Sequence, residues 1–272
     1  MIRLFLTCLS LITCFTALPL PPSLSPALAS MAEGKAALRQ GDLFNAHGHF
    51  ITEGNKGNPQ AQLYLGWMYY NGKGVKRNFK TSFSWYEAAA KNGMLEAWNA
   101  LGLMYERGLG VSKDGKKATE WYLKGAAKGD AVTQYHLGVV YREGKIIKQD
   151  YKEAAKWFYA AAKQEDSLAQ YELAVLYDFG RGVKKNTTAA AGWYWKAAHQ
   201  GHVDAQFNLG VAYERGDGVE KDLIQALTWY KIALTGGGKD GTAAVIGQLE
   251  PQDINRAEAL AQRWLRQNKK PN

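Results

Sequence analysis

Residues 110–117 read Gly-Val-Ser-Lys-Asp-Gly-Lys-Lys, one position short of a phosphate-cradling loop. A loop of the form G-x-x-x-x-G-K-[ST] wraps backbone N–H groups around phosphates and ligates magnesium through its final hydroxyl. Here Lys117 stands where that hydroxyl belongs, and no strand pattern precedes the run. Metal chemistry is the second option. His47-x-His49 and His199-x-x-His202 are the only close histidine pairs, and neither has HExxH spacing. His136 stands alone. No G-x-S-x-G elbow and no S-x-x-K serine occur, and the acidic residues form no pair outside the repeated pattern described below. Asn186-Thr187-Thr188 spells a glycosylation sequon, which matters only on a eukaryotic secretory route. Cys8 and Cys14 are the two cysteines. The residue types therefore predict no catalytic centre, no metal site and no cofactor.

The loop at 110–117 makes sense once its surroundings are compared with the rest of the chain. Leu65-Gly66 recurs as Leu101-Gly102, Leu137-Gly138, Leu173-Ala174 and Leu209-Gly210, in steps of 36 residues. Tyr69, Gly72 and Trp85 recur at the same interval, and an aromatic residue always follows the tryptophan. Each unit carries two helical faces. Ala61, Leu65, Gly66 and Tyr69 line the first; Ser82, Trp85, Tyr86, Ala89 and Ala90 line the second. The second face predicts that the tryptophans fill the space between neighbouring units. "NGKGVKRN", residues 71–78, is then a corner between two helices. Gly72 suits a left-handed cap, and Asn78, Asp114, Asp150, Asn186 and Asp222 supply oxygens to cap the helix that follows. The same reading applies to Gly110–Lys117.

This pattern resembles Sel1-like repeats, a 36-residue relative of the tetratricopeptide family. The match is carried by the A-x-x-x-L-G-x-x-Y-x-x-G-x-G-V run from Ala61 to Val75 and by the A-x-x-W-[YF]-x-x-A-A-x-x-G type of run clearest at 190–201. The resemblance implies an all-α fold: a right-handed α-solenoid of about five helix-turn-helix repeats with partial capping units. It places five repeats at 58–237, an N-terminal capping pair at 30–57 and capping helices with a frayed tail at 238–272. Local departures are Thr133 for the opening alanine, Ile146 for the second corner glycine and Glu165 for the closing glycine. The second of these leaves room for a distorted corner near 144–150. Some cysteine-rich members of this family resemble penicillin-binding or β-lactam-hydrolysing enzymes, but they carry a disulfide in each unit, and the repeats here have no cysteine.

Residues 1–29 read as a cleavable signal peptide, with Arg3, an apolar run from about Leu4 to Leu18, and a small-x-small site ending at Ala29. The expected location is periplasmic or secreted, with no transmembrane helix in the mature chain. A second route lipidates Cys14 in a loose lipobox, giving a lipid-anchored assembly factor. Without Arg3 the formal charge falls from +9 to +8. Lysine and arginine are interspersed with acids in every repeat, which argues against nucleic acid and for an acidic protein, polysaccharide or anionic membrane surface.

Stacked pairs of this kind curve into a superhelix whose concave face is lined by the first helices. On that face the repeat register places Trp67, Tyr70, Glu106, Arg107, Tyr135, Arg142, Tyr171, Phe179, Phe207 and Arg215 as candidate partner-binding residues. Trp67, Leu103, Val139, Val175 and Val211 form an apolar row; Leu63, Asn99, Tyr135, Tyr171 and Phe207 form a largely aromatic one. Either row can line a peptide groove, or both can pack between adjacent repeats. The resulting expectation is a monomeric, non-catalytic adaptor for a protein or peptide partner.

Overall fold

The computed structural model describes residues 26–268, with side chains from Ser30 onward. The apolar run expected of a leader, with Cys8 and Cys14, lies outside the described residues. Among the described residues all regular secondary structure is helical. Two compact units, Met1–Asn92 and Gly93–Asn272, divide the chain.

The first unit contains α1 (Pro26–Arg39), α2 (Leu43–Asn55), α3 (Pro59–Asn71) and α4 (Phe79–Lys91). The second contains α5 (Leu95–Arg107), α6 (Gly115–Ala127), α7 (Ala131–Glu143), α8 (Tyr151–Ala162), α9 (Ser167–Phe179), α10 (Thr187–His199), α11 (Val203–Arg215), α12 (Leu223–Thr235), α13 (Thr242–Ile246) and α14 (Pro251–Gln267). The first helix of each repeat (α3, α5, α7, α9, α11) is called A below, and the second (α4, α6, α8, α10, α12) B.

Local chemistry sets the ends of these helices. Every A helix stops on a left-handed glycine: Gly72, Gly108, Gly144, Gly180 and Gly216 have φ of 68°, 69°, 66°, 67° and 77°. The conformation costs a glycine no Cβ clash. Every B helix starts on Asn78, Asp114, Asp150, Asn186 or Asp222, whose side chain accepts from one or two first-turn N–H groups. The backbone N–H of each capping residue in turn donates to the repeat tyrosine's carbonyl, as Asn78 does to Tyr69 at 2.9 Å and Asp150 to Tyr141 at 2.9 Å.

The A and B helices of one repeat meet where the Leu-Gly pair faces a ring. A Cβ on Gly66 would lie 2.5 Å from Tyr86, and one on Gly138 2.6 Å from Phe158. In four repeats the glycine makes room for the ring, and in repeat 4 Ala174 stands at that position beside a buried Tyr194. The ring at this contact is the residue after the tryptophan: Tyr86, Tyr122, Phe158, Tyr194 and Tyr230 are all buried, Phe158 completely. The tryptophans do pack between neighbouring repeats as expected, Trp85 against Gly54 and Trp157 and Trp193 against clusters shared by adjacent repeats, but the ring after each takes the more buried place. Trp85, Trp121, Trp157 and Trp193 are only half-buried, and Trp229 alone of the five is buried. Alternation explains the difference, because residues i and i+1 on a helix point about 100° apart and only one can face the partner helix.

Consecutive repeats are joined by a buried glutamine latch. Gln134 Nε2 donates to the Ala126 carbonyl at 3.1 Å, Gln170 to Ala162 at 3.2 Å and Gln206 to Ala198 at 3.1 Å. The first unit uses the same device, with Gln62 donating to Gly54 at 3.1 Å. Each latch adds a side-chain donor to a helix C-terminal carbonyl that already accepts from the backbone N–H three residues on, as Ala126 does from Gly129 at 3.0 Å.

The corner at 144–150 is altered at one position, as its sequence allows: Gly74, Gly110, Gly182 and Gly218 have φ of 72°, 70°, 71° and 77°, and Ile146 in their place does not take a positive φ. Gly144 keeps the left-handed cap, and Asp150 keeps its backbone bond to Tyr141. Ile146 fits because Gly115 lies opposite, at the position that Leu43, Tyr151, Thr187 and Leu223 hold in other repeats. The closing-glycine substitute Glu165 does carry strain. Its φ is 65°, the one positive φ outside glycine among the described residues.

Candidate functional site

The A layer of the second unit gathers polar and aromatic side chains from successive repeats. Arg142, at the end of α7, places one guanidinium nitrogen 2.7 and 2.8 Å from the two carboxylate oxygens of Glu172 on α9. Its other terminal nitrogen reaches Glu143 at 3.3 Å. Glu143 also takes Lys145 at 2.8 Å. Burial raises the Glu172 pKa, and the adjoining Arg142 charge acts against that rise.

Tyr135 and Tyr171 flank this ion pair. The Tyr135 ring leans on Phe158, with centroids 5.9 Å apart. Burial and then the Glu172 charge push its phenol up to about 12. Tyr171 stacks on His202 at 4.5 Å and leans on Tyr194 at 6.0 Å. His202 caps α11, its Nδ1 accepting from the Ala205 N–H at 3.2 Å. The cap requires an unprotonated Nδ1, and burial lowers the His202 pKa in the same direction. Further along, Phe207 lies 5.3 Å from Tyr230, and the Lys239 ammonium is 5.8 Å from the Phe207 ring centroid. Tyr135, Tyr171 and Phe207 thus each lean on a buried B-helix ring and remain part-exposed as residues, with His202 stacked on Tyr171 and Lys239 over Phe207.

The remaining expected positions fall into three groups. Glu106 is committed to the scaffold, accepting from the Tyr122 hydroxyl at 2.9 Å. Asp178 and Glu214 receive Tyr194 and Tyr230 in the same way. Arg107, Phe179 and Arg215 are exposed at the C-terminal ends of their A helices; Phe179 is 63% exposed, with the Arg181 guanidinium over its ring. In the first unit, Trp67 is part-buried against the core around Leu65 and Met68, and Tyr70 meets Phe79 edge-on at 5.4 Å. The apolar row packs largely inward, Val139, Val175 and Val211 each against a core cluster.

Repeat 3 differs from its neighbours in a correlated way. Its B-helix ring is Phe158, which has no hydroxyl to donate, and the acid that would accept is replaced by Arg142. The freed cation turns to the next repeat and pairs with Glu172. The register position of Glu172 holds Tyr64, Ala100, His136 and Asn208 elsewhere. Sequence reading missed Glu172 for want of a reason to compare this variable column, and it took His202 as a surface or packing histidine without seeing its capping role. The histidines serve packing and capping. His47 reaches the Tyr69 hydroxyl at 3.3 Å, and His136 lies 6.1 Å from Tyr122. Among the described residues no group of three or more His, Cys, Asp or Glu is placed to hold a metal ion, and no helix is long and apolar enough to cross a membrane.

The Sel1 repeat model matches residues 59–94, 96–130, 131–166, 167–202 and 203–238, which follow the 36-residue corners described above. Among solved structures, a Sel1 repeat protein from Oxalobacter formigenes is 30% identical and superposes with a TM-score of 0.72, over 86% of this chain and 99% of that one. The protein c5321, a protective antigen present in uropathogenic Escherichia coli strains and displaying an SLR fold, is 28% identical with a TM-score of 0.54. That match covers 89% of this chain and 61% of the other. No curated protein matches.

Proposed function

The chain belongs to the Sel1 repeat family, and from that premise we propose that it is an exported, monomeric adaptor without catalytic activity. Sel1 repeat proteins generally mediate protein–protein interaction. The partner is a protein or peptide segment held on the A layer of the second unit. The observation that carries this reading is the row Tyr135, Tyr171 and Phe207. Each ring leans on a buried ring and is itself part-exposed. Rigid, half-exposed aromatic groups offer contact area at low entropic cost. The Arg142–Glu172–Glu143 cluster beside them supplies polar groups that fix the register of a bound segment. The leader-like N-terminus supports an envelope or secreted location.

Site-specific photo-crosslinking in native envelope extracts tests the assignment. A crosslinker at Phe179 or Arg215, exposed at the ends of A helices, is expected to give a discrete adduct that Tyr171→Ala weakens. The same adduct appearing only from a crosslinker on the B layer, at Trp195, would place the partner on the opposite layer.

A further inference from the structure

The B layer of the second unit has its own character. Leu123, Tyr159 and Trp195 share one register position on α6, α8 and α10, and all three are exposed, by 37%, 46% and 49%. Ring contacts link them to neighbouring repeats. Tyr159 meets Trp193 edge-on at 6.1 Å, Trp195 packs on His199 at 3.9 Å, and His199 reaches Trp229 at 5.0 Å. Lysines sit among the rings. The Lys124 ammonium is 3.9 Å from the Trp121 centroid, Lys196 is 4.3 Å from Trp193, and Lys163 is 5.8 Å from Tyr159. None of these three lysines has a carboxylate within ion-pair distance among the described residues.

Charge is segregated between the layers. In the second unit the B helices α6, α8, α10 and α12 carry seven lysines against two glutamates; the A helices α5, α7, α9 and α11 carry seven acids against three arginines. The chain order conceals this, because basic and acidic helices alternate along it. The charge is interspersed along the chain as its sequence shows, and the fold sorts the helical part of it between the two layers.

We infer that this face of the second unit docks on an anionic phospholipid surface. Exposed Trp and Tyr rings sit well at the headgroup level, an aliphatic side chain such as Leu123 inserts beside them, and lysines are drawn to anionic headgroups. The segregation also sets orientation, since the acidic A layer is repelled from the surface that attracts the B layer. Single-stranded nucleic acid fits less well. The four B helices hold no arginine, the side chain suited to bidentate phosphate contacts, and Leu123 offers no ring for a base to stack on.

Co-sedimentation with phosphatidylcholine vesicles, with and without phosphatidylglycerol, tests the inference. The full chain, Tyr159→Ser/Trp195→Ser and Lys124→Glu/Lys196→Glu are compared, so that residues 1–29 are common to all three. All four substituted side chains are solvent-exposed, and matched thermal melts establish that the variants fold. The full chain is expected to partition onto anionic vesicles in a salt-sensitive manner, and each double variant to lose roughly tenfold in partitioning. Equal binding to neutral vesicles would overturn the inference. So would unchanged binding by both variants, or capture by single-stranded nucleic acid or a soluble acidic polysaccharide without vesicle binding.

Discussion

A Cβ placed on Gly115 would fall on the carbonyl oxygen of Ile146 and lie 2.8 Å from its Cβ. The two residues depart from the repeat pattern together. Where the corner keeps its glycine, the bulk is on the helix instead: Gly74 lies against Leu43, Gly182 against Tyr151 and Gly218 against Thr187. At 115 and 146 the roles are exchanged, which also explains why residues 110–117 come close to spelling a phosphate loop.

Gly115→Leu is expected to destabilise the protein by about 1–3 kcal/mol, the usual cost of forcing extra bulk into a packed contact. Ile146→Gly in the same chain should recover most of that loss. Thermal or chemical denaturation of the four proteins in the cycle measures the coupling, and additive effects would show that the pair does not compensate.

Glu165 holds the left-handed conformation that Gly57, Gly129 and Gly201 hold at the same corner, with φ of 65° against 89°, 85° and 86°. Glu165→Gly relieves a Cβ clash and is expected to raise stability by about 1 kcal/mol. A lower melting temperature would contradict it.

Phe158 is completely buried, whereas Trp157 beside it is half-buried, with an indole N–H that has no partner. Phe158→Ala is expected to cost about 3–5 kcal/mol, and Trp157→Ala clearly less. Urea melts of the two variants give the comparison; the reverse order would return the tryptophans to the core.

Arg142→Ala leaves the nearly buried Glu172 carboxylate without its cation and is expected to cost about 3 kcal/mol. Arg142→Ala/Glu172→Ala removes the stranded charge and should be more stable than the single variant. If the double variant is the less stable of the two, the Glu172 side chain stabilises the fold independently of Arg142 and is not a stranded charge.

Three part-buried histidines make stability fall in acid, His47 among them. Burial lowers His136 from the usual 6.5 to about 4 and lowers His202 as well. A depressed histidine pKa means that the unfolded chain binds the proton more readily than the folded one. Their contribution is full above pH 6.5 and declines as the pH falls toward the folded values, for His136 by at most about 3 kcal/mol near pH 4. His136→Phe should flatten the melting temperature between pH 6.5 and 4 relative to the native chain. An unchanged slope would assign the acid loss to other groups.

The helices, their caps and the 36-residue corners were legible in the chain because they are local. A glycine in the left-handed region and an aspartate three residues from a free N–H act within one turn. The final helix was equally legible, its face running from Ile254 through Ala257 and Ala261 to Trp264. Of the candidate partner surface, the row Tyr135, Tyr171 and Phe207 could be placed from register alone. Its engagement with Phe158, Tyr194 and Tyr230 could not.

Tertiary structure decided everything that depends on what a neighbouring helix presents. It chose Phe158 over Trp157 for the core, turned Glu106 inward to Tyr122, paired Arg142 with Glu172 across 30 positions, and sorted alternating basic and acidic helices into two layers. The physical reason is range. Hydrogen-bonded turns and backbone torsions are settled within a few residues, whereas burial and Coulomb energy depend on groups that only folding brings within a few ångströms.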